Sequence, residues 1–121
     1  MDAQRTETLP KKERLCGKTG IENLLAKGRH GSVPGLRYIC LAENGLGHHR
    51  IMVSVPKKLF KRAVKRNLLK RRIRESWRRQ KQDLAISAGA DILFIYPTKE
   101  IQTYTQLYAA VGQVIEKLNK A

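Results

Sequence analysis

From Leu59 to Leu84 the chain has no Gly or Pro, and Arg, Lys, Leu, Ala and Gln dominate. These residues favour helix, so the stretch predicts one long helix between two breakers, Pro56 and Gly89. At about 100° per residue, Leu69, Ile73 and Trp77 fall at i, i+4 and i+8 and form a single apolar stripe that must face a core. Trp77 is therefore expected to be buried and not to serve as a base-stacking platform. Opposite or beside the stripe lie Asn67, Lys70, Arg71, Arg74 and Arg78, with Ala63 at the head of the same face.

The rest of the chain has to supply the surface on which that stripe packs. Residues 1–13 mix charges around Pro10 without a period and read as a flexible tail, leaving 14–121 as one domain. Thr19 followed by Glu22 has the spacing of a capping box, Ile21, Leu24 and Leu25 give the helix behind it an apolar face, and Gly28 is placed to end it. Between Arg29 and Val55, Gly and Pro punctuate short β-prone runs in the manner of an antiparallel meander. Gly31, Pro34 and Gly35 set off a brief first strand from a second over 36–43, and Asn44-Gly45-Leu46-Gly47 turns into a third from Arg50 to Val55. Alternation puts Ile39 and Leu41 on one face and Tyr38 and Cys40 on the other, so both faces of the sheet carry apolar groups.

After the long helix, Asp91 to Tyr96 reads as a buried strand stopped by Pro97. Thr103 with Gln106 looks like another capping box, opening a helix whose apolar face is Tyr104, Leu107, Tyr108, Val111, Ile115 and Leu118. The order is α-β-β-β-α-β-α. A helix of this length between the third and fourth strands permits a parallel crossover. The expected fold is α+β, a single-domain two-layer α/β sandwich on a mixed four-stranded sheet.

Charge narrows the function. The chain has 25 Lys and Arg against 10 acids, a net +15, and thirteen of those cations fall between Lys57 and Lys81 beside one acid, Glu75. A solvated helix face mixes signs and gains from i,i+4 pairs, whereas these like charges repel unless a polyanion neutralises them. No long apolar span, aromatic-anchored amphipathic helix or lipidation signal points to a membrane, and the polar start has no secretory core. Nucleic acid in the cytoplasm is the expected partner. Two helices joined by a short turn are not visible around the basic run, so a DNA-binding helix-turn-helix is not expected.

No catalytic set accompanies the cations, since Glu75 and Asp83 lie eight residues apart on one helix and no His pair or Ser/His/Asp set can be drawn. Cys16 and Cys40 lack metal-ligand spacing and read as reduced thiols, His48 and His49 read as turn residues, and Asp91 reads as a strand-end or turn-capping group in preference to a metal ligand. No metal site is expected in this chain.

The run Ala63-Val64-Lys65-Arg66-Asn67-Leu68-Leu69-Lys70-Arg71-Arg72-Ile73-Arg74-Glu75 resembles the signature helix of the bacterial ribonuclease P protein family, A-V-x-R-N-x-x-K-R-x-x-R-E. Val53-Ser54-Val55-Pro56-Lys57-Lys58 is similar to the strand-end element before it, Gly89-Ala90-Asp91-Ile92 to a segment after it, and Arg14-Leu15 to the family's start. The resemblance spans roughly residues 14–118. It implies an RNA-binding subunit of an endoribonuclease, with an unusual left-handed crossover where general rules favour a right-handed one. It further implies two partners, the catalytic RNA and precursor tRNA, with RNA-bound Mg²⁺ removing the 5′ leader and no catalytic residue in the protein. Carried across, Lys57, Lys58, Arg66, Asn67, Lys70, Arg71 and Arg74 fall on positions that bind the catalytic RNA. Ile21, Leu25, Ile39 and Leu41 fall on the leader cleft between the first helix and the sheet.

Two departures stand out. Leu68 occupies a signature position usually held by Arg, and the first-helix cleft positions, often aromatic in the family, are Ile21 and Leu25. By rotation Leu68 is expected at the flank of the basic face. Composition alone would also suit a ribosomal or other RNA-assembly protein, and the signature helix is what distinguishes the two readings.

Overall fold

The computed structural model describes residues 18–42, 44, 46–86 and 89–120, with the backbone alone at 18 and 19. The segment 1–13 read as a tail, Arg14-Leu15, Cys16, Glu43, Gly45 and the Thr19 side chain lie outside the described residues. The elements are α1 Lys18–Lys27, β1 Arg29–Val33, β2 Leu36–Ala42, β3 Arg50–Ser54, α2 Ala63–Gln80, a 3-10 turn Lys81–Asp83, β4 Ala90–Ile95 and α3 Tyr104–Lys120. The order is the one expected from the sequence.

The sheet corrects the meander reading, because its strands lie in the order β1-β2-β4-β3. Only β1 and β2 form a hairpin, through Pro34-Gly35, with Val33 opposite Leu36. β4 runs antiparallel to β2, with Ile39 opposite Leu93, and parallel to β3, with Ile51 beside Ile92. Burial decides who sits in the middle. Ile92 and Phe94 are fully covered on one face of β4 and Leu93 nearly so on the other, whereas β3 alternates buried and half-buried residues as an edge strand does. The segment between β2 and β3 therefore carries the chain past the slot that β4 fills, and α2 is the connection between the parallel pair β3 and β4.

Both faces of the sheet are apolar, as alternation predicted. On one face Tyr38, Cys40, Ile51, Val53, Ile92 and Phe94 meet the Leu69-Ile73-Trp77 stripe of α2 and the inner face of α3. On the other, α1 adds a short third layer to the expected two: Leu24 sits on Ile39 and Leu93, ringed by Ile21, Leu41, Met52 and Ile95. Gly28 follows the last residue of α1 without the left-handed φ of an ordinary glycine stop. What it provides is proximity, because a Cβ there would come within 2.4 Å of the Leu24 carbonyl oxygen and 2.6 Å of Ile39 Cγ2.

The start of β4 is pinned by a polar corner. Asp91, 2% exposed, accepts Arg50 Nε at 2.8 Å and Nη2 at 2.6 Å, and Asn44 Nδ2 at 2.9 Å. This places Asp91 in the strand-end role preferred from the sequence. The paired geometry satisfies a carboxylate that would otherwise be costly to bury. Gly89 closes the corner at φ +88°, where a Cβ would lie 2.5 Å from the His48 carbonyl oxygen. Both the left-handed backbone and the clash with main chain penalise a side chain, so Gly89→Ala is expected to lower stability by at least about 2 kcal/mol. Urea unfolding tests this, and an unchanged midpoint would show that the corner rearranges freely.

The second capping box is present as expected: Thr103 N–H donates to Gln106 Oε1 at 2.9 Å and Gln106 N–H to Thr103 Oγ1 at 3.1 Å. Tyr96, fully buried, accepts the Gln102 N–H at 2.8 Å and donates to the Glu100 carbonyl, tying the β4–α3 loop to the core.

Candidate nucleic-acid interface

α2 is shorter than its composition predicted at both ends, and each end has a packing cause. The expected helix from Leu59 to Leu84 begins only at Ala63. Upstream, Lys57–Leu59 form a turn closed by the Leu59 and Phe60 amides on the Pro56 carbonyl. That turn delivers Phe60 into the core edge-on to Tyr96, at 5.7 Å between ring centroids. A helical continuation would aim Phe60 elsewhere, and burying an aromatic ring outweighs one more helical turn. At the other end buried Gln80 donates to the Tyr108 carbonyl of α3 at 2.9 Å, and the backbone tightens into the 3-10 turn before buried Leu84. Ser76 and Gln80 are buried polar residues that the apolar stripe alone did not reveal. Their positions three and seven residues beyond Ile73 were the available signal.

Leu69, Ile73 and Trp77 are fully buried. The opposite side carries Asn67, Arg71 and Arg74 exposed, with Lys70 half-buried beside them. Lys57 and Lys58 are exposed on the turn ahead of the helix. Asn67, Lys70, Arg71 and Arg74 form a polar, largely basic strip on a helix held rigidly from behind.

Four further arginines, Arg66, Arg72, Arg78 and Arg79, are drawn into bonds within the fold. Arg66 donates through Nη1 to the carbonyls of Phe60 at 2.8 Å and Lys61 at 2.9 Å, so part of its guanidinium staples the incoming turn to the helix. A guanidinium has five N–H donors, and two such bonds leave others for a ligand. Arg72 donates to the Gln102 carbonyl at 2.6 Å, on the side facing α3. Arg78, expected on the basic face, grips Glu75 with Nε at 2.9 Å and Nη2 at 2.7 Å, and Arg79 joins at 2.8 Å. The hydrogen bond from Arg78 leads in holding the Glu75 carboxyl below the usual glutamate range, against a smaller opposing effect of burial. Leu68 is half-buried on the flank of α2, one helical step from Asn67.

The four residues expected in the cleft beside α1 part company. Leu25 is 53% exposed, Ile21 and Leu41 are half-buried, and Ile39, 4% exposed, lies under Leu24 as floor. Met52 and Ile95 share that apolar face and were missed. Period-two alternation would have found Met52, which lies between the inward Ile51 and Val53.

Among the described residues, no three His, Cys, Asp or Glu side chains converge as metal ligands. Burial, with Asp91 nearby, pushes the Cys40 thiol up to about 11, so it remains protonated at neutral pH. No described helix is long and apolar enough to cross a membrane.

Comparison with known proteins gives one consistent answer. The family model described as Ribonuclease P matches residues 9–119. The ribonuclease P protein component of Pseudomonas paraeruginosa is 50% identical over 66 residues, 54% of this chain and 47% of that protein. A Pseudomonas putida counterpart is 47% identical over the same length. The match thus spans about half the length of these curated relatives. Among solved structures, the Staphylococcus aureus RNase P protein is similar with a TM-score of 0.73 and 26% identity over 87% of this chain and 94% of that one. The Thermotoga maritima RNase P protein shares the fold, with a TM-score of 0.74 over 87% and 96% of the two chains at 23% identity.

Proposed function

The chain belongs to the ribonuclease P protein family, and on that footing we propose that it binds the catalytic RNA of ribonuclease P through α2 and supports removal of the 5′ leader from precursor tRNA. The observation that carries this reading is the strip Asn67, Lys70, Arg71 and Arg74 on a helix whose back is locked by fully buried Leu69, Ile73 and Trp77. Rigid forks and ammonium groups at helical spacing position phosphates and supply affinity without reading sequence.

In this proposal the chain's residues bind and orient, and the hydrolysis is assigned to the RNA with its Mg²⁺. The described residues offer no paired carboxylates beside the strip, because Glu75 is committed to Arg78 and Arg79. The leader lies across the α1 side of the sheet, against Ile21, Leu25, Leu41 and Met52, where aliphatic contact and shape replace base stacking on aromatic rings. On the same proposal the protein acts in the cytoplasm.

Reconstitution tests the proposal. Chain, catalytic RNA and precursor tRNA are combined at limiting Mg²⁺, each omitted in turn, with ribosomal RNA fragments as a binding control. The chain should leave precursor tRNA intact by itself and increase cleavage by the RNA. Cleavage at the mature 5′ end by RNA-free protein, or equal preference for ribosomal RNA, would overturn it.

Leu68 offers a finer probe. Leu68→Arg should change stability by less than about 1 kcal/mol, as a flanking substitution does. It should also tighten binding to the catalytic RNA and steepen the log K against log salt slope by somewhat less than one unit, for one added phosphate contact. A stable variant with unchanged affinity and slope would mean that the RNA does not approach this flank.

A further inference from the structure

Where α2 gives way to the 3-10 turn there is a cavity of about 500 Å³, within the range of small-ligand sites. His48 and His49 line it from the segment before β3, Lys81 and Gln82 from the 3-10 turn, and buried Leu84 with half-buried Ile86 makes up its apolar floor. We infer that this cavity receives one unstacked nucleotide of an RNA strand lying along α2, its base over the Leu84–Ile86 floor and its phosphate toward Lys81. The inference rests on the reading of α2 as an RNA interface and extends it to a second, built pocket on the helix face of the sheet, away from α1.

Three observations carry it. The first is alignment. Lys81, the first residue past α2 and seven after Arg74, lines the cavity about 10 Å further along the helix. The cavity therefore opens at the end of the basic strip, where a strand held by Lys70 and Arg74 runs next.

The second is chemistry. An apolar floor suits the face of a base, and a rim of two imidazoles, an ammonium and an amide suits its edges and its phosphate. No carboxylate is among the described lining residues, and Lys81 brings a cation to the rim.

The third is rigidity. His49 Nδ1 accepts the Ala90 N–H at 3.0 Å while its ring stands edge-on to Trp77 at 5.9 Å. The His48 carbonyl is held by Asn44 Nδ2 at 3.0 Å. The wall is thus anchored to the β4 corner and to the core face of α2 before any ligand arrives, and a preformed site loses less freedom on binding.

The test is a nitrogen-15 NMR titration of the full chain with tetra-uridylate and, separately, with inorganic phosphate. The oligonucleotide should shift the amides of Gly47, His48, Gln82 and Ala85 saturably, and phosphate at equal concentration should not. Ala85→Glu sets a carboxylate in the lining at an exposed position whose backbone N–H bond to Asn119 Oδ1 is retained. It should weaken oligonucleotide binding at least tenfold, as should Lys81→Ala, with both spectra remaining folded. Arg71→Ala should weaken binding to the catalytic RNA yet leave the cavity shifts in place. Shifts confined to 67–74, equal shifts with phosphate alone, or a folded Ala85→Glu variant of unchanged affinity would each overturn the pocket. If reconstitution fails while the cavity shifts persist, the ribonuclease P reading falls and the nucleotide site stands. If reconstitution succeeds without the shifts, the reverse holds.

Discussion

Trp77→Ala is expected to lower the stability of the fold by about 3–5 kcal/mol, the range for deleting a fully buried large aromatic side chain. Its ring is completely covered, stands 6.1 Å from the Phe94 ring of the central strand, and meets the edge of His49. Three layers of contact, helix to strand to loop, pass through this one side chain. Its removal opens a cavity that the Arg50-Asp91-Asn44 corner and the Gln80 bond to α3 prevent from collapsing. One term runs the other way, since Trp77 Nε1 is buried with no hydrogen-bond partner among the described residues. Removing an orphaned donor recovers part of its desolvation penalty, about 1–3 kcal/mol, so the loss should fall toward the lower end of the range. Urea unfolding followed by far-UV circular dichroism measures it. A change below about 1 kcal/mol would mean that α2 is not anchored through this residue.

Lys70→Ala, Arg71→Ala and Arg74→Ala combined should weaken binding to the catalytic RNA on the order of 10²- to 10³-fold near physiological salt while leaving the fold intact. Three phosphate contacts would be lost, and the log K against log salt slope should become shallower by about 2 to 3 units. The stability expectation is opposite in character to that for Trp77. Arg71 and Arg74 are exposed and Lys70 is half-buried, alanine is a better helix former than any of them, and three mutually repelling charges disappear. The melting temperature should hold or rise slightly. A large loss of stability would place the strip in the core, and an unchanged salt slope would remove it from the RNA interface.

The sequence revealed most where one residue type has one use. Leu69, Ile73 and Trp77 at helical spacing left a single face on which α2 could pack, and the Thr103–Gln106 pair marked the start of α3 directly. It revealed least where the outcome depends on a distant partner. Nothing near residues 44–47 indicates that the next neighbour of β2 is β4 instead of β3, because that choice rests on the two-sided burial of Ile92, Leu93 and Phe94 about fifty residues later. Helix composition likewise ran past the true start of α2, since the pull of Phe60 toward Tyr96 has no local signature. At the candidate site, the basic face was readable as a face. Which cations stay on it was not: Arg66, Arg72 and Arg78 are engaged by carbonyls or Glu75 that only the folded chain brings into range.

The last strand to be made is an inner one. Because β4 lies between β2 and β3, the sheet has an open seam until Ile95 has left the ribosome, and α2 exists before the strand it rests on. At about 5–20 residues per second, some two to six seconds separate the synthesis of Ala63 from that of Ile95. During that interval a strongly cationic segment with an uncovered tryptophan stripe is exposed among nascent and ribosomal RNA. Closure of the seam then has to bring β3, α2 and β4 together in one step. Non-local pairing of this kind makes for slow folding, so a chain arrested before Ala90 is expected to hold at most the local β1–β2 hairpin of the native sheet.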